Sequence, residues 1–356
     1  ARNEPLALKA AKRWQTLAPA EGDAREAVAR LALRAGDRVE TQAQCEALIK
    51  GHAAGPDEGF RQVAQLLSQE NSRREDALAV MEQLRRLWPE LAGAYYAQSL
   101  LALRFNQLDL AEHAARESLR LTGAVPPPKG GGGSGHDALL LLTGVLVKKG
   151  DLAGADRTIA ELIKDNKNPA ELRMGYARLL IESDRHEEAR RQFEAALAAK
   201  PDYAGARYAL GLMALEREEP DRAEPQFRAL LESPAFKSQA RYYLGRIEEA
   251  RKRPLEALKW YEQVTEGDQV IDAAVHRAVL RGKLDRLQES RTLLAGMREQ
   301  VPGLATRFYL AEGEILLDQG QGSEALAMYL RALNESPNDT DLLYGRSLVH
   351  ERMEKT

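Results

Sequence analysis

The chain has a single cysteine, Cys45, in 356 residues. That excludes an internal disulfide and any cluster of thiolate metal ligands. Cys45 lies in a helix-forming stretch from Thr41 to Leu48, so it is expected as a small buried residue, not a reactive thiol. Aromatic residues are also scarce, at 6%. No apolar run approaches the ~18 residues of a membrane span. An excess of one charge is missing too. Lys and Arg number 51 against 54 Asp and Glu, and the two signs are interspersed. Nothing resembles the basic stripe of a nucleic-acid binder, and none is expected as a partner.

Chemistry-bearing patterns are equally sparse. The six histidines are His52, His113, His136, His186, His276 and His350. None stands at a metal-ligand spacing such as H-E-x-x-H, so no metal is expected. There is no Walker-type phosphate loop and no G-x-S-x-G elbow. Carboxylate pairs such as Glu248-Glu249 have arginines nearby and read as solvated helix faces. No catalytic residue, cofactor or enzymatic activity is expected. His186 reads as a turn residue. His276 fits either a groove contact or a satisfied polar residue on a helix.

What the chain does have is alanine, leucine and charge: 44% hydrophobic and 29% charged residues, the balance of a folded protein rich in helix formers. Its length exceeds the ~250–300 residues at which single cores stop growing, a limit that repeat arrays escape.

A repeat is visible. In Glu187 to Pro201, small Ala189 is followed by bulky Phe193, small Ala196 and then the proline. The same order recurs at Ala325, Tyr329, Ala332 and Pro337, and less cleanly at Ala77, Met81, Leu84 and Pro89. Taking the first small residue as anchor gives Ala7, Ala43, Ala77, Ala111, Ala155, Ala189, Ala223, Ala257, Ser290 and Ala325. Most intervals are 33–36 residues, and one, from Ala111 to Ala155, is 44. Leu210-Gly211 and Leu244-Gly245 repeat at the same period in the preceding helix, with Gly313 in the same place. Glycine there lets two helices approach closely.

This pattern resembles the tetratricopeptide repeat (TPR), whose period is ~34 residues. The resemblance covers nearly the whole chain. It implies an all-α, right-handed TPR superhelical solenoid of about twenty helices. Glu4 to Leu17 carries a second-helix pattern and Thr340 to Met353 a first-helix pattern, so each end is expected as a half unit. The long interval holds Pro126-Pro127-Pro128-Lys129, Gly130 to Gly133, Ser134 and Gly135, which suit a flexible tether. Two origins fit it: a natural loop, or a designed linker replacing a longer one. The expected organisation is TPR units over 1–124, the linker over 125–135, and TPR units over 136–356.

In the TPR family the first helices line the concave face, where extended peptides or partner helices lie. Carried over by register, the inward positions are Tyr96, Arg104, Arg178, Tyr208, Leu212, Tyr242, Arg246 and Glu314. They imply a partner-binding groove, with Tyr208, Tyr242 and Arg246 close together. Leu212 and Leu215 fit packing between helices equally well. Where chaperone-tail-binding members carry the asparagine of their carboxylate clamp, this chain has Gly144, Arg178, Leu212, Arg246, Val279 and Glu314. No such clamp is expected.

Ala240 to Ile247, Glu256 to Tyr261, and Asp341 to Leu348 resemble stretches of proteobacterial TPR lipoproteins of the outer membrane. Certain members are adaptors that gather a carboxyl-terminal processing protease with cell-wall hydrolase substrates. The resemblance implies a non-catalytic periplasmic scaffold, tethered to the outer membrane in the full-length protein, with no membrane-spanning segment here. Two alternatives stay open: a cytoplasmic scaffold for a bacterial assembly machine, and the substrate-selecting arm of an enzyme such as a glycosyltransferase.

Overall fold

The computed structural model describes residues 4–19, 21–123, 134–164 and 166–354. Among them are twenty α-helices, two single 3-10 turns and no strand, the all-α class expected from the repeats. The chain forms two compact units, Ala1–Ala199 and Lys200–Thr356. The first holds α1 (Glu4–Leu17), α2 (Gly22–Ala35), α3 (Arg38–Gly51), α4 (Pro56–Ser68), α5 (Arg74–Leu87), α6 (Ala92–Arg104), α7 (Leu108–Thr122), α8 (Ser134–Lys149), α9 (Leu152–Lys164), α10 (Pro169–Glu182) and α11 (His186–Ala199). The second holds α12 (Ala204–Glu216), α13 (Pro220–Leu230), α14 (Lys237–Ala250), α15 (Pro254–Glu262), α16 (Val270–Lys283), α17 (Leu287–Gln300), α18 (Ala305–Asp318), α19 (Gly322–Glu335) and α20 (Thr340–Glu354). Even-numbered helices from α2 onward are the first of each pair, and odd-numbered helices the second.

Residues 125–133 of the expected linker lie outside the described residues. Ser134 and Gly135 open α8, so the helix begins two residues earlier than their composition implied. The first turn tolerates them because its amides have no intrahelical partner to lose. Helices α7 and α8, which flank the linker, pack against each other inside the first unit.

The turn within a pair is one device used eight times. Gly36, Asn106, Gly150, Asp184, Glu218, Lys252, Asp285 and Gly320 all adopt left-handed backbone, with φ between 58° and 81°. The amide of the next residue then reaches back five carbonyls, as in Asp37 to Ala32, Arg253 to Glu248 and Gln321 to Leu316. This is the Schellman closure, which satisfies carbonyls that the helix end leaves free. Proline near the first position starts α4, α10, α13 and α15, where its missing N–H costs nothing.

The packing rule is small against large. Ala77, Ala111, Ala155, Ala189, Ala223, Ala257, Ser290 and Ala325 are fully buried where second helices meet first helices. The anchor at Ala43 is corrected. Ala43 is exposed, and Thr41, at 0% exposure, takes the place. Its amide bonds the Asp37 carbonyl just as that of Ala189 bonds Arg185. The interval from Ala7 is then 34 residues and the next 36, the excess coinciding with the 3-10 turn Asn71–Arg73 ahead of α5. In the second unit, Phe227, Tyr261 and Tyr329 lay their rings on Gly211, Gly245 and Gly313. A β-carbon at Gly245 would stand 2.6 Å from the Tyr261 ring.

Candidate protein-binding site

The second unit gathers aromatic rings from α12 to α16 into one cluster. Tyr208 on α12 meets Phe227 edge-on at 6.3 Å, Phe236 at 5.2 Å and Tyr243 at 5.9 Å. Tyr243 stacks on Phe227 at 4.9 Å and meets Tyr242 edge-on at 5.1 Å. Tyr242 continues to Tyr261 at 5.7 Å and His276 at 5.8 Å, and those two rings stack on each other at 5.0 Å. Offset and edge-on rings gain more than their buried area alone, which makes the cluster stiff.

A polar chain threads the far end of the cluster. The Glu249 carboxylate accepts from the Tyr261 hydroxyl, and His276 Nδ1 lies 2.7 Å from the same oxygen. A proton on Nδ1 points His276 Nε2 towards the Tyr242 hydroxyl, 3.5 Å away. Burial alone would raise Glu249, but the bonds from His276 and Tyr261 outweigh it and hold the carboxyl below its ordinary range. Burial and the neighbouring Glu249 push the Tyr261 phenol upward, and burial does the same for Tyr242 and Tyr208. All three therefore remain neutral donors at physiological pH. The Arg246 guanidinium is desolvated, which would lower it, but the Tyr242 hydroxyl beside it leaves it raised and firmly charged.

The structure brings four of the expected groove residues into this region. Tyr208 and Leu212 are half-buried and pack on the α12–α14 core. Arg246 is exposed one turn after Tyr242. Tyr242 itself is only 7% exposed, so its expected place as a surface anchor is corrected. Tyr243, Tyr261 and His276 close over it, and Tyr243 bridges it to Tyr208. Glu314 stands exposed on α18, near Tyr329.

The other three residues lie in the first unit. Arg104 and Arg178 are exposed on α6 and α10. Tyr96 is half-buried beneath the Arg61 guanidinium, 4.7 Å from the ring centroid, and Arg61 also donates to Asp137 at 2.8 Å. Register alone missed Arg61, Tyr243 and Tyr261. The Tyr261 hydroxyl left a usable signal, because a buried phenol needs a hydrogen-bond partner. Among the described residues no group of His, Cys, Asp and Glu is arranged to hold a metal ion. None of the described helices is long and apolar enough to cross a membrane.

The tetratricopeptide repeat model matches residues 67–126 and, in overlapping stretches, 145–204, 177–234 and 208–270, together just over half of the chain. The chain belongs to the tetratricopeptide-repeat family. TPR proteins generally act as protein-interaction scaffolds, and the family implies protein partners for this chain. The TPR repeat-containing protein PA4667 of Pseudomonas aeruginosa is 31% identical over 96 residues, which are 27% of this chain and 16% of that protein. The chain thus spans about one sixth of that relative's length. YrrB, described as a TPR protein with an unusual peptide-binding site, is 22% identical, with 53% of this chain and 97% of that chain covered and a TM-score of 0.42. The C-terminal part of a TPR repeat-containing protein from Cytophaga hutchinsonii is 14% identical, with 80% and 98% covered and a TM-score of 0.47.

Proposed function

We propose that this TPR chain is a non-catalytic adaptor that captures partner proteins on its first-helix face. The carrying observation is Arg246. It is an exposed cation at the edge of a packed ring cluster, and the Tyr242 hydroxyl sits beside it. Its position is prepared before a partner arrives, which lowers the entropy cost of binding. Tyrosine and arginine are the residue types that concentrate binding energy. Tyr208 and Leu212 supply half-buried apolar surface in the preceding pair. Such a face suits a partner segment with an acidic group flanked by apolar side chains.

The finer reading is an adaptor that brings a carboxyl-terminal processing protease together with cell-wall hydrolase substrates, in the periplasm and tethered to the outer membrane. Its support is the likeness of Ala240 to Ile247, Glu256 to Tyr261 and Asp341 to Leu348 to lipoproteins with that role. The test is binding of the purified protease of the source organism to the immobilised chain, alongside capture from an envelope extract. Arg246→Ala should weaken capture about tenfold or more without changing helicity. Glu194→Ala, exposed on second helix α11, should leave it unchanged. Equal capture by both variants would move the partner off the first-helix face. Failure of the protease to bind would remove the protease reading while leaving the scaffold.

A further inference from the structure

We propose that Arg277, backed by Arg281, is a binding site for a single carboxylate on the second-helix side of the second unit, and that an aspartate or glutamate side chain of a partner protein supplies it. Four buried side-chain polar atoms among the described residues lack a hydrogen-bond partner, and two of them are the Nε atoms of Arg277 and Arg281. The two arginines stand about one turn apart on α16. Arg281 has carboxylates of its own. Its guanidinium donates to Glu262 of α15 at 3.1 Å and lies 3.7 Å from Glu289 of α17. Arg277 is half-buried and makes no hydrogen bond or ion pair with a described residue.

The cause is local. Arg277 stands thirteen residues before the buried anchor Ser290, and its counterpart in the next pair is Glu312, thirteen before Ala325. Two arginines of the preceding second helix hold Glu312: Arg291, one residue after Ser290, and Arg298, eight after it. One residue after the α15 anchor, Ala257, stands Leu258. No helical residue stands eight after it, because α15 ends at Glu262, whereas α17 runs on to Gln300. The preceding helix therefore offers Arg277 no counter-charge at either place. Such a group costs stability, since burial removes water without supplying a partner. Burial and the like charge of Arg281 lower the Arg277 pKa from its ordinary value, and the pull of Glu262 offsets only part. The guanidinium nonetheless stays charged.

Charge and geometry select the occupant. A guanidinium presents paired N–H donors that match one carboxylate bidentately. Glu262 and Glu289, both exposed, flank the two arginines from α15 and α17. They disfavour a phosphate group, which would bring close to two negative charges to the same place. A single carboxylate brings one, and meets a donor set that nothing else in the chain claims. The TPR family implies protein partners, which makes an acidic side chain the source.

Magnetic resonance of the arginine Nε–H groups in the full chain, carrying isotope-labelled arginine, tests this. The Arg277 signal is identified by its loss in Arg277→Lys and Arg277→Met. The probe is N-acetylglutamate N-methylamide, and the controls are its glutamine analogue, acetate and inorganic phosphate. The glutamate compound should shift the Arg277 signal saturably, at a concentration about tenfold below that needed with phosphate, and the glutamine analogue should leave it in place. Arg277→Met should melt higher than the parent, because it keeps the apolar stem and removes an unpaired charge. The proposal falls if the glutamate compound leaves the signal unmoved, or if phosphate shifts it at an equal or lower concentration. It also falls if acetate shifts the signal and the glutamate compound does not, since only a small free carboxylate would then fit. A lower melting temperature for Arg277→Met would overturn it as well, by showing that the guanidinium is already held within the chain.

Discussion

Glu82 shows how far one charge can be held by its neighbours. Arg85 and Arg86 from its own helix and Gln98 from α6 all donate to its carboxylate. Burial pulls its pKa upward, yet these bonds win and hold it at about 2 against an ordinary 4.5. A carboxyl depressed in the folded state adds stability that is complete above 4.5 and is lost as pH falls toward 2. The full difference corresponds to roughly 3 kcal/mol, and partial solvent exposure reduces this to about 1–2 kcal/mol. Glu82→Gln should therefore be less stable than the parent by that amount near pH 7, with the gap closing as pH falls from 4.5 to about 2. Urea unfolding across that range measures it, and a gap that stays constant would mean the carboxylate is not held. Cys45 lies at the other extreme: buried, with its thiol pushed up to about 12, it is the inert small residue that its sequence context indicated. Tyr242 is the residue whose role shifted most. Register placed it on the binding face, but register cannot weigh how a neighbour such as Tyr243 closes over a ring. Glu249 left a fainter trace. It stands where corresponding pairs carry Leu215 and Leu317, and its partners come from two other helices, so only the assembled structure joins them.

At the scale of helices and turns, the small-large rule was readable because it is a spacing, and spacing survives in sequence. The exception at Thr41 has a simple cause. A threonine is nearly as small as the alanine two residues later, and only its burial tells them apart. The left-handed residue in each turn was less readable, since Glu218 and Lys252 carry no sign of it. Glycine fits this conformation freely, whereas other L-residues pay about 1–2 kcal/mol. Part of that cost is offset by the greater freedom glycine has when unfolded. Lys252→Gly should thus stabilise the chain by about 0.5–1 kcal/mol, and Lys252→Val should destabilise it. Thermal melting of the two variants gives the answer. A lower melting temperature for the glycine variant would show that the Lys252 side chain contributes more than its backbone costs.

At the scale of the whole chain, repetition governs how damage spreads. Each helix pair packs mainly on its neighbours, so stability is a sum of local and nearest-neighbour terms, not a single shared core. The buried clusters reflect this, with one spanning α2 to α6 and others confined to successive pairs in the second unit. Tyr261→Ala probes the consequence. The ring is fully buried between α14, α15 and α16, touches Gly245, and donates to Glu249. Its removal leaves a cavity and strips a partly buried carboxylate of a donor, at a cost of about 3–5 kcal/mol. In one cooperative core that loss would lower every opening free energy equally. In a repeat array it should fall on α14 to α16 and fade with distance along the chain. Amide hydrogen exchange of the variant should show reduced protection in α14 to α16, with α2 to α6 matching the parent. Uniform loss across both compact units would mean that the chain unfolds as one body, and that nearest-neighbour packing does not set its stability.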